Sequence, residues 1–228
     1  MIPWSLLDKA QVPGGGELRL MRRGAEFSIR LGSDELMNSR LSATEQALAT
    51  IACEKIRTGK RANEQPRILI GGLGMGFTLR AALTVLGKQA RIVVAELVPA
   101  VVAWGRGPMA KLSGDSLSDP RVRIHEGDVG DLIRSGRSDY DAILLDVDNG
   151  PQWMTRKAND RLYDLKGLHA AHAALRRGGV LAVWSSRPDP KFTQRLRKTG
   201  FDVTENPVRA KGPQGGAQHF IWTATRAD

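Results

Sequence analysis

Short runs of β-branched and aliphatic residues alternate with stretches of helical spacing between residues 67 and 184. Strands linked by helices of this length lie parallel in one sheet, and right-handed crossovers place the helices on both of its faces. The pattern therefore predicts a Rossmann-like, doubly wound α/β domain over residues 66–228. The predicted strands are 68–70, 92–95, 122–124, 142–145 and 180–184, and the predicted helices are 77–86, 98–112 and 162–175.

The C-terminal part departs from this alternation. Two apolar runs, 201–204 and 219–223, are joined by a loop that is rich in Gly and Pro at 212–216. Consecutive strands without a crossover helix between them pair antiparallel. We therefore predict a mostly parallel seven-stranded sheet that ends in an antiparallel C-terminal hairpin.

The first 40 residues are predicted as a separate unit. Residues 17–22 and 25–31 alternate apolar and polar side chains, with a turn between them, which is the pattern of a small β-hairpin appendage over residues 1–40. Residues 41–65 are predicted as a linking helix. Ser42 and Glu45 have the spacing of a capping box there, and helical spacing continues from 47 to 56.

Composition restricts the classes of protein that remain. The 228 residues are 41% hydrophobic, which is enough for one sizeable core. The sequence has neither an apolar run of about 18 residues nor a signal-peptide pattern, so we expect a cytoplasmic protein without membrane contact. The single Cys53 excludes an internal disulfide and is predicted to pack inside a helix.

The net charge of +10 would suit nucleic acid, an anionic membrane or a negatively charged small molecule. The Lys and Arg residues are scattered, however, and aromatic residues are not interleaved with them. We therefore favour a solvated basic surface over a nucleic-acid groove.

A glycine-rich loop follows the first predicted strand of the domain. It contains Gly71, Gly72, Gly74 and Gly76. In a doubly wound sheet, ligands bind beyond the carboxyl ends of the strands where the strand order reverses, and the first loop is the usual contact. Glycines let the backbone approach a ligand closely, and the next helix directs its first amides there. The loop is therefore predicted to bind a cofactor.

Acidic residues follow the next three strands. Glu96 ends the second strand about 20 residues after the glycines, where a carboxylate accepts ribose hydroxyls. Asp128 follows the third strand and suits an adenine amino group, and Asp146 and Asp148 follow the fourth. Acids on three sides would repel a pyrophosphate but attract a sulfonium and an ammonium. The predicted ligand is therefore S-adenosylmethionine or a close relative of it.

In these segments the chain resembles the spermidine synthase (polyamine aminopropyltransferase) family, within the class I methyltransferase fold. The resemblance extends from the N-terminal hairpin to about residue 186. Its motifs are at 70–76, 119–122, 127–128, 140–146, 162–163 and 175–181.

The resemblance implies S-adenosylmethionine or its decarboxylated form as the cofactor, with the glycine loop around its methionine-like part. Glu96, with its neighbour Leu97, would bind the ribose, and Asp128 with the backbone of Val129 would bind the adenine. The N-terminal hairpin would cover the site or support a homodimer.

The chain differs from this family where the chemistry takes place. Such synthases read Gly-Gly-Gly-Asp-Gly-Gly in the loop, and Gly74 stands at the Asp position. They carry Asp-Ser-Ser-Asp after the fourth strand, and Asn149 stands at the last Asp, whose role is to hold and deprotonate the attacking amine. The neighbouring Asp148 is a substitute only if its side chain points the same way. Gly167 and Leu168 replace an aromatic pair.

The candidate catalytic residues are therefore Asp146, Asp148 and Asn149. Methyl transfer requires only in-line placement of a nucleophile and exclusion of water. We accordingly favour methyl transfer to an unidentified small acceptor, an amine among the candidates. Aminopropyl transfer from decarboxylated S-adenosylmethionine to putrescine and a non-catalytic binding role are the alternatives. Gln152 and Trp153 are predicted to border the acceptor pocket, and a metal is not expected.

Overall fold

The computed structural model describes residues 2–59, 65–147 and 160–227. It contains two sheets. The N-terminal sheet is antiparallel, with the order β1-β2-β3-β4. Its strands are β1 (Ser5–Gln11), β2 (Glu17–Arg23), β3 (Glu26–Leu31) and β4 (Asp34–Asn38).

The second sheet has seven strands in the order β10-β11-β9-β8-β5-β6-β7. Strands β5 to β9 are parallel, and β10 and β11 form an antiparallel hairpin at one edge. The predicted fold is confirmed. The strands are β5 (Arg67–Gly71), β6 (Arg91–Glu96), β7 (Val122–Glu126), β8 (Tyr140–Leu145), β9 (Leu175–Ser185), β10 (Phe201–Arg209) and β11 (Gln218–Arg226).

Helices cover both faces of this sheet. They are α1 (Ala43–Thr58), α2 (Phe77–Val85), α3 (Pro99–Arg106), α4 (Ala110–Ser113), α5 (Val129–Ser135), α6 (Asp160–Tyr163), α7 (Leu165–Ala174) and α8 (Pro190–Lys198). The chain runs outward from β5 to β7 and then returns to β8 on the other side of β5. The strand order therefore reverses between β5 and β8, which is where ligands bind in folds of this type. Within the described ranges, none of the helices is long and apolar enough to span a membrane.

The N-terminal unit is larger than the predicted hairpin. The predicted strands correspond to β2 and β3, and β1 and β4 extend them on either side. Strand β1 is almost wholly exposed and β4 has no fully buried residue. Neither strand shows a clean alternation of apolar and polar residues, so hydrophobic periodicity could not reveal them.

The capping box predicted at the start of α1 does not form. The side chain of Ser42 makes no cap hydrogen bond. Its hydroxyl instead accepts a hydrogen bond of 2.8 Å from Gln46 Nε2. The Glu45 carboxylate accepts from the Thr44 hydroxyl at 2.8 Å, so it does not reach back to the helix start. This prediction was wrong because both side chains bond neighbouring side chains in place of the helix-start amides.

The interior of α1 packs as predicted. Leu48, Ala49, Ala52 and Cys53 are wholly buried. Burial raises the pKa of the Cys53 thiol to about 12, which keeps it protonated and unreactive at neutral pH. Cys53 is therefore a packing residue.

Two predicted helices are interrupted. The helix predicted at 98–112 is split into α3 and α4 around Gly107 and Pro108, since proline disfavours helical backbone at the residue before it. The helix predicted at 162–175 starts anew at α7, where Asp164 accepts from the Gly167 amide at 2.7 Å. Helix α8 was not predicted, although Asp189 before Pro190 is a strong start signal.

Candidate ligand-binding site

A cavity of about 170 Å³ lies at the carboxyl ends of the parallel strands, under the N-terminal sheet. Its floor consists of strand ends and the loops after them, and its roof is apolar. The floor residues are Gly72, Gly74, Ala95, Glu96, Leu97, Val98, Val101, Gly127, Asp128, Val129, Asp146 and Val147. The roof residues are Val12, Leu18, Ile29, Leu31, Leu36 and Met37.

Seven of the nine residues that were predicted to bind the cofactor line this one cavity. They are Gly72, Gly74, Glu96, Leu97, Asp128, Val129 and Asp146. The other two, Gly71 and Gly76, pack against protein: an added Cβ at Gly71 would lie 3.0 Å from the Val129 side chain, and at Gly76 2.7 Å from that of Ser113. The individual contacts of these residues with a ligand stay predictions.

Gly72 lets the ends of β5 and β8 approach each other. Its φ is +88°, and an added Cβ would lie 2.5 Å from the backbone oxygen of Asp146. A side chain at this position would separate the two strand ends that frame the cavity. Glycine is therefore required here both for its backbone conformation and for the close approach.

Gly74 has a different neighbour. Its φ is +52°, and an added Cβ would lie 2.7 Å from Cε and 3.0 Å from Sδ of Met37 in the roof. The thioether of Met37 thus occupies the space directly above the loop position where the resembling synthases carry an Asp. A side chain at position 74 would have to displace the end of the Met37 side chain.

The contact predicts how Gly74→Ala behaves. We expect a loss of about 1–2 kcal/mol in unfolding free energy, because the positive φ is strained for alanine and the Met37 methyl must move. In a Met37→Ala background, Gly74→Ala should lose the steric contribution to this free-energy penalty and keep the contribution of the positive φ. Urea denaturation of the four proteins of this double-mutant cycle measures both contributions. An equal penalty in both backgrounds would show that Met37 does not confine this position.

Glu96 is nearly buried, with 8% of its surface exposed. Its two oxygens accept hydrogen bonds of 2.9 Å from the amides of Leu73 and Val98. Burial raises the pKa of this carboxyl, and the backbone hydrogen bonds oppose that rise. Glu96 thus fixes the glycine loop to the start of α3, a structural role that the sequence did not reveal.

Asp128 stands at the N-terminus of α5. One carboxylate oxygen accepts from the Gly130 amide at 2.7 Å and caps the helix. The amide of Val129 belongs to the first turn, where backbone donors have no partner within the helix. The pair therefore offers a carboxylate acceptor and a backbone donor side by side, as the predicted adenine contact requires.

Asp146 directly follows β8 and lies beside the glycine loop and the first turn of α2. The Thr78 hydroxyl donates a hydrogen bond of 2.9 Å to its Oδ2. Burial, and secondly the negative charge of Glu45, raise the pKa of Asp146 to about 7. Glu45 was not foreseen as part of the site, since its local sequence resembles a helix cap. Four other predicted residues, Asp148, Asn149, Gln152 and Trp153, lie outside the described residues.

The charge of the cavity is opposite to that of the chain. The sequence contains 34 Lys and Arg against 24 Asp and Glu. The described lining nevertheless includes three acids, Glu96, Asp128 and Asp146, and not one Lys, Arg or His. Such an enclosure attracts cations and repels anions.

Among the described residues, no group of three His, Cys, Asp or Glu is placed to hold a metal ion. His172 instead packs edge-on against Phe201, with ring centroids 4.9 Å apart, and burial lowers its pKa.

The sheet order and the cavity at the strand-order reversal define a methyltransferase-like fold, and the comparisons with known proteins refine this class. No protein-family model matches the chain. Polyamine aminopropyltransferase 1 of Streptomyces coelicolor is 30% identical over 146 residues, which are 60% of this chain and 27% of that protein. The polyamine aminopropyltransferase of Mycobacterium tuberculosis is 27% identical over 146 residues, with the same coverage. The chain thus matches about a quarter of the length of these curated relatives.

Solved structures extend the likeness to nearly the whole chain. Spermidine synthase from Thermotoga maritima aligns with 97% of this chain and 73% of its own, with a TM-score of 0.76 and 16% identity. A spermidine synthase bound to the transition-state analogue AdoDATO gives 0.75, with 97% and 72% coverage and 16% identity. The resemblance seen in the sequence is confirmed: the chain has homologues among the polyamine aminopropyltransferases and the fold of spermidine synthases.

Proposed function

We propose that this protein is an aminopropyltransferase that uses decarboxylated S-adenosylmethionine and a polyamine acceptor of the putrescine type. The relatives and the solved structures named above support the transfer of an aminopropyl group. The single observation that carries the proposal is the cavity, which is lined by Glu96, Asp128 and Asp146 without a described cation.

The negative charge of the cavity lining affects which form of the cofactor it binds. S-adenosylmethionine has a carboxylate beside its amino group, whereas the decarboxylated form has only the sulfonium and the ammonium. A carboxylate in this cavity would meet three acids without a described Lys or Arg to pair with it. The described site therefore suits the more cationic, decarboxylated ligand.

Methyl transfer, which the sequence favoured, has no support among the relatives named here. The sequence argument depended on Gly74 and Asn149 in place of two family acids, and on Gly167 and Leu168 in place of an aromatic pair. Asn149 lies outside the described residues, and the Met37 side chain occupies the space beside Gly74. Asp146 meanwhile offers a carboxylate whose pKa of about 7 suits a base at neutral pH.

We propose for these residues the roles that the resemblance implies. Glu96 and Leu97 would hold the ribose, and Asp128 and Val129 the adenine. Asp146 would face the acceptor amine, and the apolar roof of the N-terminal sheet would exclude water from the sulfonium carbon. A homodimer stays a proposal, for which the apolar surface near β1 is available: Ile2, Leu6 and Leu7 are 65%, 52% and 42% exposed.

The cofactor preference is testable by isothermal titration calorimetry. We expect decarboxylated S-adenosylmethionine to bind at least about tenfold more tightly than S-adenosylmethionine, since one unfavourable carboxylate contact costs on the order of 1.4 kcal/mol. Decarboxylated S-adenosylmethionine and putrescine together should give a chromatographically detectable aminopropyl product.

Two outcomes would contradict the proposal. Tighter binding of the carboxylated form, with transfer of its methyl group, would return the assignment to a methyltransferase. Binding of neither ligand to the folded protein would leave the acid-lined cavity without the proposed function.

A further inference from the structure

Most of the net positive charge of the chain belongs to one segment. Residues 161–200 contain nine Lys and Arg against two Asp, whereas the other 188 residues contain 25 Lys and Arg against 22 Asp and Glu. The two acids, Asp164 and Asp189, are the N-caps of α7 and α8. Asp189 is only 4% exposed, so Asp164 is the one exposed acid of this segment.

Helices α7 and α8 lie side by side and run in the same direction. Near their starts, the rings of Tyr163 and Phe192 pack edge to face with centroids 5.7 Å apart, and Arg195 Nε donates a hydrogen bond of 3.2 Å to the Tyr163 backbone oxygen. Near their ends, an added Cβ at Gly200 would lie 3.5 Å from Nε2 of His172. The buried residues of both helices belong to one core cluster. Their exposed sides therefore form one continuous surface.

Four cations on this surface have no described partner. Lys166 is the second residue of α7, Lys191 is the second residue of α8, and Arg197 and Lys198 lie in the last turn of α8. All four are exposed, and none of them forms an ion pair or a side-chain hydrogen bond with a described residue. We call these four residues the basic face. A cation in the first turn opposes the helix macrodipole, so helix stability does not account for the two lysines there.

The spacing of the basic face fits a nucleic-acid duplex. Lys191 and Lys198 are two helical turns apart, about 10 Å along α8, and packed helix axes are about 8–10 Å apart. A duplex carries one phosphate per about 3.4 Å along each strand, so a patch of this size meets several phosphates at once. Tyr163 and Phe192 are buried beneath the surface, which leaves it without a described aromatic platform for unpaired bases.

An anionic membrane fits this surface less well. Helices that bind in the membrane interface insert an apolar face among the lipids. The apolar side of α8 is instead buried in the core, where Phe192 and Leu196 are 0% exposed. Leu165 of α7 is 45% exposed, but one leucine buries far less apolar surface than a single acyl chain, which by itself binds only marginally.

We propose that the basic face of α7 and α8 binds the phosphate backbone of double-stranded nucleic acid without reading its sequence. The proposal goes beyond the proposed function and does not depend on it. The four cations replace counterions of the phosphates, and release of these counterions supplies the affinity. Binding therefore depends steeply on salt, and it depends on where the cations lie more than on the net charge of the chain.

Fluorescence anisotropy with a labelled DNA duplex of about 20 base pairs tests the proposal. For the wild type, log K should fall with log salt between about 50 and 200 mM NaCl with a slope of about −4, as expected for four phosphate contacts. The triple variant Lys191→Gln/Arg197→Gln/Lys198→Gln should bind at least about tenfold more weakly, with a slope of about −1. Its urea midpoint should be unchanged, because the three residues are exposed.

A matched control separates the basic face from the net charge of the chain. Lys88→Gln/Arg106→Gln/Lys111→Gln removes the same three charges from exposed positions on or next to α2, α3 and α4, which pack on the other core cluster. Its affinity for the duplex should stay within about threefold of the wild type, because charges beyond a Debye length are largely screened. An equal loss in both triple variants would overturn the proposal.

Two other probes test the alternative occupants. A single strand of the same length should bind more weakly than the duplex, and tighter binding of the single strand would overturn the assignment to a duplex. Phosphatidylcholine vesicles that contain phosphatidylserine should show no binding that depends on the three mutated cations. If the first triple variant loses vesicle binding while duplex binding is absent or unaffected, the partner is a membrane and the proposal is wrong.

Discussion

Asp146→Asn is expected to lower kcat for aminopropyl transfer by about 100- to 10,000-fold, the usual contribution of a general base. Asparagine has nearly the same shape as aspartate and can still accept the 2.9 Å hydrogen bond from Thr78. It cannot take a proton from an ammonium, so it should impair the chemical step while the cavity is preserved. Steady-state kinetics with decarboxylated S-adenosylmethionine and putrescine measures the loss, and Asp202→Asn on the exposed face of β10 is the matched control.

The stability of the same variant distinguishes lost chemistry from lost folding. The pKa of Asp146 is raised from 3.8 to about 7 in the folded protein. Its contribution to stability is complete below pH 3.8 and is lost as the pH rises towards 7, by up to about 4 kcal/mol. Asp146→Asn removes this loss, so at pH 8 the variant should be at least as stable as the wild type. If the variant is inactive and also less stable than the wild type at pH 8, two claims are contradicted. The Asp146 carboxylate is then not an unfavourable buried charge, and the loss of activity reflects lost folding and not a lost base.

The acids on the floor of the cavity were predictable because topology alone brings them together. In a parallel sheet the strands all end at the same edge, so residues at or just after the ends of β6, β7 and β8 must converge. Glu96, Asp128 and Asp146 stand at those positions, and all three line the cavity. Their convergence required no knowledge of side-chain packing.

Glu45 and Met37 were not predictable in this way, because both reach the site from elements outside the parallel strands. Met37 lies on β4, a short strand with a weak pattern, and its place above Gly74 depends on how the N-terminal sheet docks. Glu45 has the sequence spacing of a capping residue, and only the packing of α1 against α2 brings its backbone oxygen within 3.4 Å of the Thr78 hydroxyl, which also bonds Asp146. Local propensity and tertiary placement give different answers at this residue, as is common at functional sites.

The overall charge was similarly uninformative about the site. A chain with a net charge of +10 places three acids and no described Lys, Arg or His in the lining of the cavity. Electrostatic selection of a ligand is made within a few ångströms in a poorly solvated enclosure, whereas surface charges are screened by salt over about 10 Å. The negative charge of the cavity lining therefore matters more for ligand selection than the positive net charge of the chain.

Gly72→Ala is expected to have the largest effect on folding among the glycine-loop variants, a loss of about 3 kcal/mol or more in unfolding free energy. The φ of +88° is strained for alanine, which costs about 1–2 kcal/mol, and the added Cβ would lie 2.5 Å from the backbone oxygen of Asp146. Backbone at a strand end cannot rotate away as a side chain can, so β5 and β8 must separate. Urea denaturation measures the loss, and calorimetry should show weaker cofactor binding because Asp146 moves.

Two alanine variants divide this effect into its parts. Gly32→Ala has a φ of +59° and nothing within 4 Å of the added Cβ, so it should cost only the strain of about 1 kcal/mol. Gly87→Ala has neither a positive φ nor a neighbour within 4 Å and should change the unfolding free energy by less than about 0.5 kcal/mol. If Gly72→Ala costs no more than Gly32→Ala, the contact with Asp146 is not what requires glycine. The glycine loop would then be conformationally necessary without fixing the distance between the two strand ends that frame the cavity.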